Sequence, residues 1–429
     1  MDIRTAQALV RFGLGRRGDE APPSDPVNWL LSQLRDPDPS RFDPQPTTET
    51  GLAAFRDDRK SPNPPGTSRA LTLYRTGASA QLVNALTTPS PFRERLVWFW
   101  TNHFTISVRR GDCLSVAAPF VEEAIRPHVT GSFHDMLLAV MRHPAMLLYL
   151  DNVNSTGPNS QVGKRAKRGL NENLARECLE LHTVSPAAGY TQADVTALAN
   201  VITGWTVSRQ NDPLGFRFNR DVHEPGPKTV LGQTLPTGEE GGLQILDFLA
   251  HHPATYRFLA TKLVRHFVDD TPPPDAVARV EAALRDSKGN LGVAAASLVT
   301  LDAAWQPGRK LRTPQEFVIA TWRALSLKPD QATNLTGIVS RLGQPVWTAP
   351  APNGWPDVAV EWSTPDAIMR RIDWAYAVAN RIGTNDPVEL GTAILGPLLK
   401  QTTYDAMARA GSRREATTLL LSSPEFQRR

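Results

Sequence analysis

The side chains best suited to chemistry are concentrated in two neighbouring segments near the middle of the chain. The first is the polar segment 151–159, Asp-Asn-Val-Asn-Ser-Thr-Gly-Pro-Asn, and the second is 171–182, Asn-Glu-Asn-Leu-Ala-Arg-Glu-Cys-Leu-Glu-Leu-His. In the second segment Leu174, Cys178 and Leu181 recur at helical spacing, which puts the polar side chains on the other face. The pattern predicts a helix whose polar face carries carboxylates, amides and one arginine.

Two glutamates on that helix could act as an acid and a base. Glu177 and Glu180 are three residues apart, so their carboxylates lie close together and repel each other. One of them should then have a raised pKa and hold a proton near neutrality. Arg176 would hold the substrate or its developing negative charge. The alternative is an exposed stripe in which Arg176 pairs with Glu172 and Glu180 at i,i+4.

The 151–159 segment offers oxygen ligands within one tight loop. Asp151, Asn152 and Asn154 are the hard ligands that calcium and magnesium prefer, although the EF-hand spacing is absent. We therefore expect a metal site at these three residues, with calcium or magnesium as the cofactor. The alternative is an Asx turn, because Asn and Asp side chains also bond their own backbone two residues on.

Histidines and a lysine elsewhere are candidates for the rim of the same site. His103 lies within an aromatic helix, where a buried imidazole needs a partner. His182 ends the carboxylate helix, where the helix dipole favours a cation. His223 and Lys228 would supply a proton donor and a cation. The other histidines, His266 among them, are expected to be structural.

Two tryptophans in predicted turns, Trp205 and Trp355, could line a ligand cleft by stacking. The alternative is that each pins a loop onto the core. The predicted catalytic set is Glu177, Glu180, Arg176 and His223. The predicted substrate-binding set is His103, Asn152, Asn171, Glu172, Asn173, His182, Trp205, Lys228 and Trp355.

The elements that must position these residues are mainly helices. Five times a capping residue precedes a proline at the start of a helical pattern. Proline is well tolerated at the first helical position, so each pair indicates a helix start. The five pairs are Asp25-Pro26, Ser90-Pro91, Thr313-Pro314, Thr364-Pro365 and Asp386-Pro387. Thr313 with Glu316 also reads as a capping box. The fold class is therefore all-α, with one large multi-helix domain.

Two regions interrupt the helical period. Residues 36–67 are polar and proline-rich, which predicts a surface loop. Residues 206–238 alternate weakly and contain turn residues, which predicts a small β-hairpin insertion near 214–232 that folds back over the site. This divides the chain into a helical region at 1–205 that carries the polar site, the insertion at 206–238, and a C-terminal helical region at 239–429 on the same core.

Composition excludes several classes of protein. The net charge is only +4 over 429 residues, which is not the concentrated basic face of a nucleic-acid binder. Apolar runs such as 136–141 are far shorter than the ~20 residues of a membrane span. Cys113 and Cys178 are the only cysteines, so a disulfide framework is excluded. The N-terminal residues have no apolar signal core, which predicts a cytoplasmic protein, or a periplasmic one if a leader has been removed.

An ordered set of motifs runs along the chain: Phe99-Trp-Thr-Asn-His-Phe104, Leu148-Tyr-Leu-Asp-Asn152, the 171–182 segment, Tyr190-Thr-Gln-x-Asp-Val195, Thr203-Gly-Trp205, Gly226-Pro-Lys228 and Gly354-Trp-Pro356. With these motifs the chain resembles the domain of unknown function 1800 family of bacterial proteins, from about residue 5 to the C-terminus. The resemblance implies a large helical protein and a partner that carries a twin-arginine export signal. It implies no reaction.

Together these observations favour one central polar site. The leading hypothesis is a hydrolase that acts on a polar substrate, such as a glycan, through the carboxylates of the 171–182 helix. The alternative is a non-catalytic binding or assembly protein for an exported partner, in which the same polar network only rigidifies a helical scaffold.

Overall fold

The structure is a computed structural model that describes residues 1–61, 64, 67–166, 169–331, 334–382 and 386–429. Within these ranges the chain is mainly helical, as the sequence predicted, with two small antiparallel sheets. The helices of the first half are α1 Ile3–Gln7, α2 Pro26–Arg35, α3 Thr48–Lys60, α4 Arg69–Thr87, α5 Pro91–His103, α6 Ala117–Pro119, α7 Phe133–Arg142, α8 Pro144–Tyr149, α9 Gln161–Ala166, α10 Asn173–Glu177 and α11 Gln192–Val201.

The second half continues with helices after the sheets. These are α12 Glu239–His251, α13 Pro253–Phe267, α14 Pro274–Asp286, α15 Leu291–Val299, α16 Pro314–Ala324, α17 Leu335–Arg341, α18 Ala359–Trp362, α19 Pro365–Ala379, α20 Pro387–Leu395, α21 Gln401–Ala408, α22 Arg413–Ser422 and α23 Pro424–Gln427. Short 3-10 and π-helical turns join several of them, and one π-helical turn, Cys178–His182, continues α10.

The capping signals in the sequence mark real helix starts. Helices α2, α5, α16, α19 and α20 each begin at the proline of a predicted cap-proline pair. The capping box of α16 is complete, because Thr313 accepts from the Glu316 backbone N–H while the Glu316 carboxylate accepts from that of Thr313. Local chemistry therefore fixes where these helices begin.

The insertion contains two hairpins. Strand β1, Trp205–Ser208, pairs antiparallel with β2, Gly215–Phe218; β3, Lys228–Val230, pairs antiparallel with β4, Gln233–Leu235. The predicted insertion at 206–238 thus contains the whole β3–β4 hairpin and all of the β1–β2 hairpin except Trp205.

The predicted surface loop at 36–67 is partly wrong. Its second half contains α3, a 13-residue helix capped by Thr47. Leu52 is almost fully buried, so packing stabilises a helix that the polar composition obscured. Residues 62, 63, 65 and 66 of that prediction lie outside the described residues.

One continuous hydrophobic cluster extends from Ala8 to Phe426 and joins residues of both halves. Aromatic rings connect α5 to α13, with the Phe99 ring centroid 5.3 Å from that of His266 and 6.4 Å from that of Phe267. Glu316 of α16 forms an ion pair with Arg95 of α5. Helices α5, α13 and α16 are thereby held as one wall of a cavity. Every helix in the described ranges is too short or too polar to span a lipid bilayer.

Candidate functional site

A cavity of about 410 Å³ opens between α5, α13, the start of α16 and the loop 343–358. We call it the Lys262 pocket. Its polar and charged lining residues include Asn102, His103, Lys262, Arg265, His266, Gln315, Glu316, Gln344, Asn353 and Asp357, and its aromatic lining residues are Trp98, Phe99, Phe258, Trp347 and Trp355. A pocket of this size, with apolar walls and a few converging polar groups, is typical of small-molecule sites.

Two cations from one helix face this pocket. Lys262 and Arg265 are three residues apart on α13, so their side chains are neighbours on its surface. Lys262 Nζ lies 5.6 Å from the centre of the Phe258 ring, and Arg265 Nε is buried without a hydrogen-bond partner. Burial lowers the pKa of Lys262 to about 8, with the Arg265 charge acting in the same direction and Asp357 opposing both. Among the described residues neither cation has an ion-pair partner.

A histidine and an aspartate meet at the edge of the pocket. His266 Nδ1 lies 2.8 Å from Asp357 Oδ2, whereas His266 Nε2 is buried without a partner. Burial lowers the pKa of His266 despite the aspartate, so the ring is neutral near pH 7. Burial alone would raise the pKa of Asp357, but its hydrogen bond with His266 and the Lys310 ammonium lower it. The neutral ring therefore donates its Nδ1 proton to Asp357 and keeps a lone pair on Nε2.

Two of the predicted site histidines are neighbours: His103 lines the pocket, and its ring centroid lies 6.2 Å from that of His182. His103 donates from Nε2 to the His182 carbonyl oxygen at 3.1 Å, which leaves His103 Nδ1 as an unpartnered acceptor. Both ring nitrogens of His182 are buried without a partner. Burial lowers the pKa of His103 well below its usual value and that of His182 to about 3, and the Lys262 charge adds to both effects. Burial therefore favours the neutral form of both rings, whereas the sequence argument expected a cation at His182.

The loop 343–358 is held against α5 by hydrogen bonds between Asn102 and Trp355. The Asn102 side chain donates to the Trp355 carbonyl oxygen at 2.9 Å and accepts from the Trp355 backbone N–H at 2.7 Å. Gly354 has a φ of 81°, and a Cβ there would come within 2.5 Å of the Asn102 carbonyl oxygen. Only glycine lets the loop approach α5 this closely. The predicted placement of Trp355 beside a ligand cleft agrees with this geometry.

The predicted metal loop is occupied by protein contacts. The Asp151 carboxylate pairs with Arg110. The Asn152 side chain donates to the carbonyl oxygens of Ile202 and Trp205, at 3.2 and 2.9 Å, while Asn154 is exposed. Asn152 therefore joins the end of α11 to β1. Across the described ranges, no three His, Cys, Asp or Glu side chains are arranged to hold a metal ion.

The start of the 171–182 segment contacts the 151–159 loop. The Asn171 backbone N–H donates to the Ser155 hydroxyl at 3.1 Å, and that hydroxyl donates to the Asn171 carbonyl oxygen at 3.3 Å. The Asn171 side chain accepts from the Asn173 N–H and so caps the first turn of the helix. The Asn173 residue itself is exposed. Burial raises the pKa of the nearby Tyr149 to about 12, the Glu177 charge raises it further, and the Arg110 charge opposes this.

The two glutamates predicted as an acid–base pair act on each other electrostatically. Burial raises the pKa of Glu177, the Glu180 charge raises it further, and Arg176 opposes both. Arg176 itself pairs with Glu172 at 3.0 Å, one of the contacts of the alternative stripe. Glu172 also accepts from Thr196 and Gln192, which lowers its pKa. None of these side chains lines the Lys262 pocket.

The remaining predicted residues belong to the hairpin insertion. His223 Nδ1 donates to the Thr203 carbonyl oxygen at 2.8 Å, and its Nε2 accepts from the Gly238 N–H at 2.8 Å. Lys228 donates to the Glu224 carbonyl oxygen. Trp205 is fully buried, and a Cβ on Gly242 would meet its ring. These contacts fasten the insertion to α11 and α12, and none reaches Glu177.

Sequence reasoning missed Lys262, Arg265, His266 and Asp357. A signal existed, because Lys262, Arg265 and His266 are three basic residues within five positions of one helix whose apolar residues Leu259, Leu263 and Phe267 face the core. Nothing local indicated that Asp357, 91 residues beyond His266, would meet it.

Comparison with known proteins gives one match. A family model described as "Protein of unknown function (DUF1800)" matches residues 7–428. No curated protein and no solved structure matches the chain.

Proposed function

We propose that this chain, which belongs to the DUF1800 family of proteins of unknown function, binds a small anionic ligand in the Lys262 pocket. One observation carries the proposal: Lys262 and Arg265 line the same cavity, and among the described residues neither forms an ion pair with a carboxylate. A charge removed from water is costly unless an opposite charge or hydrogen bonds compensate for it. A ligand carboxylate or phosphate would supply that compensation.

The walls of the pocket support a ligand with a planar or apolar body. Trp98, Phe258 and Trp355 line it, and aromatic rings favour stacking against flat or apolar surfaces. The predicted glycan ligand is compatible with such walls, because a sugar ring has an apolar face; an acidic sugar would also meet the two cations. The glycan and a partner with a twin-arginine export signal remain proposals.

Isothermal titration calorimetry with benzoate tests the proposal. Benzoate combines a carboxylate with a ring, and benzamide is its neutral analogue. We expect benzoate to bind and benzamide to bind much more weakly. Lys262→Gln and Arg265→Gln should each weaken benzoate binding by roughly tenfold or more, since a hydrogen bond to a charged group contributes ~1.5–3 kcal/mol.

A double variant, Arg279→Gln with Lys400→Gln, is the matched control. Both residues are exposed and lie outside the lining of the pocket, so the net charge changes equally without a change at the site. Equal benzoate affinity in the control and in the combined Lys262→Gln, Arg265→Gln variant would show that the pocket cations do not bind the anion.

A second candidate function is hydrolysis, favoured by the His266–Asp357 pair. An imidazole oriented by a carboxylate at Nδ1, with a lone pair on Nε2, can take a proton from an attacking water. The sequence-based hypothesis instead assigns that role to Glu177 or Glu180, which form a separate carboxylate pair. A non-catalytic assembly role for an exported partner is the remaining alternative.

Assays with nitrophenyl esters and nitrophenyl glycosides separate these possibilities. If His266 is the base, His266→Gln should abolish turnover, and Glu177→Gln should leave it unchanged. If the carboxylate pair is the centre, the two variants should behave in the opposite way. His251→Gln, an exposed histidine, is the control. Absence of turnover on the whole panel would favour the assembly role.

A further inference from the structure

Lys262 has the surroundings of a nucleophilic amine. Such a lysine must lose its proton, and a carboxylate partner would prevent this by stabilising the ammonium form. Among the described residues, no carboxylate lies within ion-pair distance of Lys262, and Asp357 acts on its ammonium only at longer range. The Lys262 nitrogen lies over the Phe258 ring, and a second cation, Arg265, is three residues away on the same helix. A desolvated lysine beside another cation is a recurrent arrangement for Schiff-base chemistry.

We infer that Lys262 forms a Schiff base with the carbonyl carbon of a 2-oxo acid, whose carboxylate is bound by Arg265. This inference rests on the proposed function, because it names the class of anion that the pocket takes. The cavity holds both groups: Lys262 and Arg265 line it together with Trp98 and Trp355. A carboxylate directly bonded to the carbonyl carbon matches two cations that lie three residues apart on one helix.

The reaction requires no oxidant or reductant. The ammonium first loses a proton to solvent, and the amine lone pair then forms a bond to the carbonyl carbon as the C=O π electrons move to oxygen. A proton passes from nitrogen to that oxygen, which gives a carbinolamine. The hydroxyl is then protonated and leaves as water while a C=N bond forms. The net change is amine plus ketone to imine plus water.

Burial, rather than the neighbouring charges, makes the neutral amine of Lys262 accessible near physiological pH. Asp357 attracts the ammonium more than Arg265 repels it, and His103 and His182 are neutral. The Asp357 carboxylate is already engaged by His266 and Lys310. With its pKa lowered from 10.5 to about 8, Lys262 has a roughly three-hundredfold larger neutral fraction at pH 7 than an ordinary lysine.

Reductive trapping with pyruvate and cyanoborohydride tests the inference on the full chain. Peptide mass mapping compares the rate of labelling at Lys262 with that at the exposed Lys288 and Lys400. We expect Lys262 to be labelled roughly tenfold or more faster, because its larger neutral fraction outweighs its lower intrinsic nucleophilicity. Acetone, which has the carbonyl group but no carboxylate, should label Lys262 less than pyruvate does.

Two variants assign the roles. Lys262→Arg cannot form an imine, so it should lose the fast label. Arg265→Gln should lose the preference for pyruvate over acetone. Thermal melts of both variants confirm that they fold.

The outcomes separate the inference from the proposed function. Labelling of Lys262 no faster than of Lys288 and Lys400, with benzoate binding intact, would overturn the Schiff base and leave anion binding standing. Absence of benzoate binding would overturn the proposed function. A pyruvate preference that persists in Arg265→Gln would overturn the role of Arg265.

Discussion

The Glu316 carboxylate is the best place to test the charge network behind the pocket. It is buried, forms an ion pair with Arg95, and accepts from Arg429 Nε at 3.1 Å. Burial alone would raise the pKa of Glu316, but the two guanidinium groups lower it from 4.5 to about 2. Glu316→Gln keeps the shape of the side chain and its capacity to cap α16, and it removes the charge between the two arginines.

The size of the loss follows from the pKa. Each pKa unit corresponds to roughly 1.4 kcal/mol, so a pKa lowered from 4.5 to about 2 stabilises the folded state by about 3 kcal/mol above pH 5. Because the pKa is lower in the folded state, this stabilisation is present above the unfolded pKa and is lost as the pH falls. About 2 kcal/mol should remain at pH 3.5. The variant leaves two buried cations without their carboxylate, which raises its total loss at pH 7 towards about 3–5 kcal/mol.

Urea unfolding followed by both tryptophan fluorescence and circular dichroism measures this difference at pH 7 and pH 3.5. Glu361→Gln, at an exposed position, is the control and should change the free energy of unfolding by less than about 0.5 kcal/mol. A Glu316→Gln loss below about 1 kcal/mol at pH 7 would refute the argument. A larger loss that is equal at both pH values would show that packing, rather than charge, causes it.

Two further substitutions test the loop and the carboxylate pair. Gly354→Ala should lower stability by about 1–3 kcal/mol and weaken benzoate binding, because its Cβ would clash with Asn102. Gly343→Ala is the control for backbone strain, since Gly343 lies in the same loop at a φ of 99° with open space around it. An equal loss of stability in both variants would contradict the argument from the Asn102 contact. Glu177→Gln should leave stability at pH 7 unchanged or raise it, since a carboxyl group with a raised folded-state pKa destabilises the folded state once it is ionised. A thermal melt that shows a large loss for Glu177→Gln would instead indicate a satisfied charge network in a scaffold.

Part of the site could be predicted because it is local. The contact between the Asp151 loop and the carboxylate helix, and the raised pKa of Glu177 beside Glu180, follow from short spacings in the sequence. The functions assigned to those residues stay predictions. The roles expected for His223 and Trp205 depended on where the insertion lies, which spacing alone does not give.

The sequence by itself determined the helical class and the start of many helices, because capping and proline geometry act over three or four residues. It did not determine α3, whose apolar residues stabilise a helix only where neighbouring elements cover them. Only the tertiary structure decided the Lys262 pocket. His266 and Asp357 are 91 residues apart, and Asn102 and Trp355 are 253 apart, so each pair forms through the packing of the core, which leaves no periodic signal in either segment.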